Sequence, residues 1–228
     1  MTRPGALARA LLLAALLGMA GCKNPFLPAQ PQLPSGTEER AVDPDYATPE
    51  GVITTMQAAI AKKLQGNALD AYMGALADPT KQPFGITFDL DPTVVADRQA
   101  AGKTIPVWQR DYEKDFYRYL VGLNAGDYSL AWTIDPASPD VIDGDSAIVV
   151  RDYHVTATTS SGSVVDIAIG HAIFHMKQLA ATPSRYVIVR WTDEVIDTQT
   201  GPDPVNPGRR SFSRLRIDQY NGEIGGTP

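Results

Sequence analysis

The chain has 228 residues, with 20 Lys and Arg against 26 Asp and Glu, and one Cys. Hydrophobic residues make up 43% and charged residues 20%, ordinary globular usage that excludes wholesale disorder. One cysteine excludes an intrachain disulfide framework and a cysteine-built zinc site. A net charge of −6 argues against binding nucleic acid, which takes a basic patch to displace counterions from phosphate.

The first 22 residues read MTRPGALARALLLAALLGMAGC. Arg3 and Arg9 supply a positive start, Ala10 to Met19 an apolar run, and Met19-Ala20-Gly21 leads into Cys22. The run is about half of the roughly 20 residues a helix needs to cross a bilayer. Small residues before a Cys at the end of such a run resemble the bacterial lipobox, with Met19 where the usual pattern has Leu. The resemblance implies a signal peptide over 1–21, cleavage between Gly21 and Cys22, a diacylglyceryl group on the Cys22 thiol and acylation, palmitate-like, of the new amine. Several acyl chains, at about 0.8 kcal/mol per buried CH₂, hold a protein firmly to a membrane. Lys23 follows the Cys where Asp would mark inner-membrane retention. By the same resemblance, the protein is expected at the outer membrane of a bacterial envelope, facing the periplasm. Removing 1–21 leaves 18 basic and 26 acidic residues, a net of −8, so lipid rather than charge must do the anchoring.

Residues 22–47 contain Pro25, Pro28, Pro31, Pro34 and Pro44 with few large apolar groups. Proline removes amide donors and fixes φ, so this stretch reads as an extended tether.

Thr48-Pro49-Glu50 opens the first helix: a cap, a proline suited to the first position and an acid at the positive dipole end. Val52, Met56, Ala59, Ile60 and Leu64 carry it to about Gln65. A second helix spans Ala68 to Ala77, and Phe84 to Leu90 alternates as a half-buried strand. Pro106 to Leu123 is helical, with Trp108, Tyr112, Phe116, Tyr119, Leu120 and Leu123 on one face. Asp111, Glu113, Lys114, Asp115 and Arg118 largely line the other. From Tyr128 the period becomes two. Strands are expected over Tyr128–Ile134, Ala147–Thr158, Val164–Leu179, Arg185–Val195 and Ser211–Tyr220, the last closing the sheet. A proline-bearing loop runs from Asp197 to Gly208, and residues 221–228 form a tail.

Residues 48–220 thus read as one α+β domain, helices packed on a strongly bent antiparallel sheet. The helical opening TPEGVITTMQAAIAKKLQGNALDAYMGAL, the single early strand, the Trp108 helix and the closing strands resemble the nuclear-transport-factor-2-like superfamily. That superfamily shares the cone fold of ketosteroid isomerase. WTDEV, a loop and SFSRLRI near the end look like many bacterial lipoproteins of this kind. The resemblance concerns fold order and does not carry function by itself.

Enzymes of the superfamily hold a carboxylate or His as base in an apolar pocket. The pocket candidates are His171, Tyr117, Tyr153 and Asp166, with Asp152 and His154 beside them. No local motif assigns a catalytic role to any of them. His171 and His175 stand four apart on a strand, about 13 Å, too far for two ligands of one metal. No G-x-S-x-G, phosphate loop or dinucleotide fingerprint is present, and neither cofactor nor metal is expected. Trp191 is expected in the core. Arg214 and Arg216 are expected on one solvated sheet face, paired with Asp193 and Glu194.

Both faces of Val164–Leu179 are apolar: Val165, Ile167, Ile169 and Ile173 on one, Ala168, Gly170, Ala172, Phe174 and Met176 on the other. A sheet with helices on one side should show polar residues on the other. The outer face is therefore expected to meet a second copy or another envelope subunit. Three functions follow: a membrane-tethered binding or scaffolding module without catalysis, an isomerase- or dehydratase-like enzyme using the cone cavity, or a structural subunit of an envelope assembly. An interior filled by Phe, Tyr and Trp would favour the first, and an open pocket with buried acids the second.

Overall fold

The computed structural model describes residues 41–122, 128–158, 161–180, 184–196 and 210–223. The leader, Cys22, the tether up to Arg40, the loop over 197–209 and residues 224–228 lie outside the described residues. No described helix is long and apolar enough to cross a membrane.

Helix α1 spans Pro49–Lys62, and the Thr48 hydroxyl accepts the Gly51 amide at 3.0 Å, as a cap should. The chain joins the domain ahead of this cap. Val42 is buried and its backbone exchanges two hydrogen bonds with the Asn67 side chain, at 3.0 and 2.8 Å. Helix α2 covers only Ala68–Gly74, because the next backbone groups leave for the sheet: the Ile188 amide donates to Ala75 and the Ala77 amide to Ile188.

Strand β1 is Thr87–Asp89, and helix α3, Pro92–Ala100, follows where the sequence reading had none. Its signal was short but complete: Asp91 accepts the Thr93 and Val94 amides at 2.8 and 3.0 Å, and Pro92 takes the first position. Helix α4 is Arg110–Gly122. The strands then run β2 Tyr128–Ile134, β3 Val141–Asp143, β4 Ser146–Thr158, β5 Val164–Leu179 and β6 Arg185–Glu194.

The described strands form one sheet ordered β1-β6-β5-β4-β2, with β3 also on β4. The sheet is mixed rather than antiparallel, since β1 lies parallel to β6 with Phe88 opposite Trp191. Bulges at Val155/Thr156 and His175/Met176 break the register of β5 with each neighbour, and bulges bend the strands that carry them. Val52, Met56 and Ile60 of α1, Phe116 and Leu120 of α4, and inward residues of β4, β5 and β6 share one core.

The largest departure lies at Ser211–Tyr220. This segment is helix α5, Phe212–Tyr220, capped by Ser211, whose hydroxyl accepts the Arg214 amide at 3.2 Å. The alternation Arg214-Leu215-Arg216-Ile217 imitates a strand. On the helix, Phe212, Ser213, Leu215, Arg216, Ile217 and Asp218 are all buried, so no polar stripe marks a helical period. Arg214 and Arg216 accordingly do not share a sheet face. Arg214 turns to Asp97 at 2.8 Å and to Asp218 at 3.1 Å, while Arg216 enters the core.

Candidate functional site

Helix α4 places Glu113 at 0% exposure, three and four residues before Phe116 and Tyr117 on its apolar side. A buried carboxylate is costly unless its lone pairs are filled. Here all four positions are taken. Oε1 accepts the Tyr72 hydroxyl at 2.7 Å and an Arg216 terminal nitrogen at 2.8 Å. Oε2 accepts the Trp108 indole at 2.8 Å and Arg216 Nε at 2.9 Å. The two Arg216 bonds form a fork, the strongest geometry for this pair. The guanidinium also lies over the rings of Trp191 at 4.3 Å, Phe88 at 5.0 Å and Phe116 at 5.1 Å. Burial opposes the charge of Arg216, but the Glu113 carboxylate outweighs burial and raises its pKa above the ordinary arginine value. Burial and the neighbouring Glu113 push the Tyr72 hydroxyl well above the usual tyrosine range.

A second buried carboxylate, Asp193 of β6, holds the start of α5. Its Oδ2 accepts the Ser213 amide at 2.5 Å and its Oδ1 the Tyr153 hydroxyl at 2.7 Å. The Tyr153 oxygen in turn accepts the Phe212 amide at 2.7 Å. Burial raises the Asp193 carboxyl above its ordinary range, with Arg216 and the hydrogen bonds opposing. Phe212 itself stands among Phe116, Trp132, Tyr153 and Trp191, at centroid distances of 4.2 to 6.5 Å. The space between helices and sheet is therefore occupied by rings and by α5.

The structure separates the four pocket candidates. Tyr153 belongs to this interior. Tyr117 is buried against α1, where its hydroxyl donates to the Ala59 carbonyl at 2.7 Å. His171 and Asp166 lie on the outer sheet face: His171 Nδ1 hydrogen-bonds Asp152 at 2.8 Å, and Asp166 hydrogen-bonds His154 Nε2 at 2.6 Å. His171 also faces Glu194 across β6. No described cluster of three or more His, Asp or Glu offers a metal site. Near the start of α1, a surface depression of about 250 Å³ is lined by Asp43, Asp45 and Glu50. Glu50 is committed to buried Arg151 at 2.7 Å.

The sequence reading missed the role of Glu113 and Asp193, although both left a signal. Glu113 precedes Phe116, Tyr117 and Leu120 by three, four and seven residues, which is the spacing of one helix face. Asp193 stands two residues from Trp191 on a strand, so it shares that residue's inward face.

No family model matches the chain, and no curated protein does. Solved structures similar to it include nuclear-transport-factor-2-like proteins. One, a superfamily protein from Salmonella enterica, has 16% identity and a TM-score of 0.42, covering 67% of this chain and 92% of its own. A Mycobacterium tuberculosis protein of unknown function has 11% identity and a TM-score of 0.48, covering 77% and 93%. A Streptomyces avermitilis protein described as a candidate dehydratase has 11% identity and a TM-score of 0.44, covering 64% and 92%. The chain is an α+β protein with helices packed on a mixed sheet.

Proposed function

We propose that the protein is a lipid-anchored envelope module that binds or scaffolds without catalysis, held at the outer membrane through acylated Cys22. The observation that carries the reading is the filled interior. Phe212 and its ring neighbours occupy the space a substrate would need, and both carboxylates there are bonded within the chain. The partner surface is the outer face of β1, β4, β5 and β6, and its occupant is a second copy. The face carries His154, His171, His175 and Arg190 alongside Asp89, Asp152, Asp166 and Glu194, with Ile148, Ile169 and Ile173 between them. His154 pairs with Asp166, His171 with Asp152 and Arg190 with Asp89 within the chain, so the face offers neutralised pairs and isoleucines that an identical face can cover about a twofold axis.

Two measurements test this. Intact mass of the full chain extracted from bacterial membranes should match a diacylglyceryl-modified and acylated Cys22 form. A free thiol, or a retained leader, overturns the anchor. Light scattering of a form beginning at residue 41 should report a dimer at high micromolar concentration, and a clean monomer overturns the pairing.

A further inference from the structure

We infer that the interior of the fold is a guanidinium-binding site, and that Arg216 is the ligand the chain supplies to it. The seat is built without α5. Glu113 is aimed by Tyr72 from α2 and by Trp108 ahead of α4, one donor on each oxygen, so the carboxylate is positioned before any arginine arrives. Three of the rings around the cation come from β1, α4 and β6: Phe88, Phe116 and Trp191. Two oxygens at fork spacing, walled by aromatic faces and closed to water, select a planar delocalised cation. An ammonium lacks the fork, and a neutral planar amide leaves the buried Glu113 charge uncompensated. The ligand class is thus an alkylguanidinium, the chemistry of an arginine side chain. The inference depends neither on the lipid anchor nor on pairing across the sheet.

The test uses the whole chain carrying Arg216→Ala, which empties the seat and leaves its walls. Ethylguanidinium at millimolar concentration should raise the melting temperature of this variant saturably, by about 4 °C at tenfold excess over its dissociation constant. Ethylurea should give no rise, ethylammonium a much smaller one, and the unaltered protein, whose seat is full, no rise with any of them. Adding Glu113→Gln to the variant should abolish the response. If Arg216→Ala does not fold alone, it is refolded with and without ethylguanidinium, and recovery of native near-ultraviolet dichroism only with the cation supports the seat. Equal responses to ethylurea and ethylguanidinium, a response surviving Glu113→Gln, or no response and no recovery at all would overturn it.

Discussion

Tyr153 meets Phe212 twice: the rings stack with centroids 4.2 Å apart and planes 15° apart, and the Tyr153 oxygen accepts the amide hydrogen of the same Phe212 at 2.7 Å. One side chain on β4 thereby fixes both the side chain and the backbone at the start of α5. Tyr153→Phe keeps the stack and removes the oxygen, stranding the Phe212 amide and one bond of Asp193. The expected loss is about 2 kcal/mol of unfolding free energy by denaturant titration. Phe212→Ala, which empties the ring cluster, should cost more, about 4 kcal/mol.

Gly170 stands opposite Tyr153 in the β4–β5 register, and a Cβ placed there would come within 2.2 Å of the Tyr153 oxygen. Gly170→Ala must therefore push the ring off its seat. A destabilisation of about 2 kcal/mol is expected, as in other overpacked cores. Combined with Tyr153→Phe, the added cost should largely persist, because the ring carbons Cζ and Cε1 still lie too close to the new Cβ. A thermal melt of the four proteins of this cycle measures it.

Breaking the Glu113–Arg216 pair on one side leaves a charge in a closed interior. Glu113→Gln and Arg216→Met should each cost about 3 to 5 kcal/mol. Replacing both, as Glu113→Leu with Arg216→Met, should cost clearly less than the two single changes summed, since neither charge remains. Denaturant unfolding of all three variants gives the coupling.

Asp193 sets a pH dependence of stability. Its carboxyl titrates above the ordinary aspartate range in the folded protein because it is buried. Such a group contributes its stability in the protonated state, below the unfolded value of about 3.9, and loses it as pH rises through the folded value. Asp193→Asn cannot titrate there. The unfolding free energy of the natural protein minus that of the variant should fall between pH 3 and pH 7. A difference that is flat, or that grows with pH, contradicts the assignment.

Most elements were legible from spacing, residue type and their start and stop signals. Helix α1 shows Val52, Met56, Ala59 and Ile60 at helical spacing behind a Thr-Pro-Glu start, and β4 and β5 are long runs of β-formers bounded by turn residues. Helix α5 was not legible because it has no solvent stripe: Arg216 and Asp218 are as buried as Leu215 and Ile217. Composition reads charge as exposure, and that rule fails wherever a partner from a distant segment neutralises the charge. Glu113 and Arg216 are 103 residues apart, so the local spacing that puts Glu113 on the apolar face does not name its partner. The pocket candidates lie on different faces for a related reason. Alternation assigns Tyr153 and Asp166 to faces only once the bulge at Val155/Thr156 is known, and a bulge leaves little trace in a row of β-formers.

That 103-residue span also bears on how the molecule is made. A polypeptide emerging amino end first presents Glu113 103 residues before Arg216, and Asp193 only 20 before Ser213. Without α5, the Glu113 and Asp193 carboxylates and the rings of Trp132 and Trp191 would lack partners that cover them, the rings being apolar surface of the kind that makes unfinished chains prone to aggregate. Closing that interior takes the nine residues of α5, the last of the described helices.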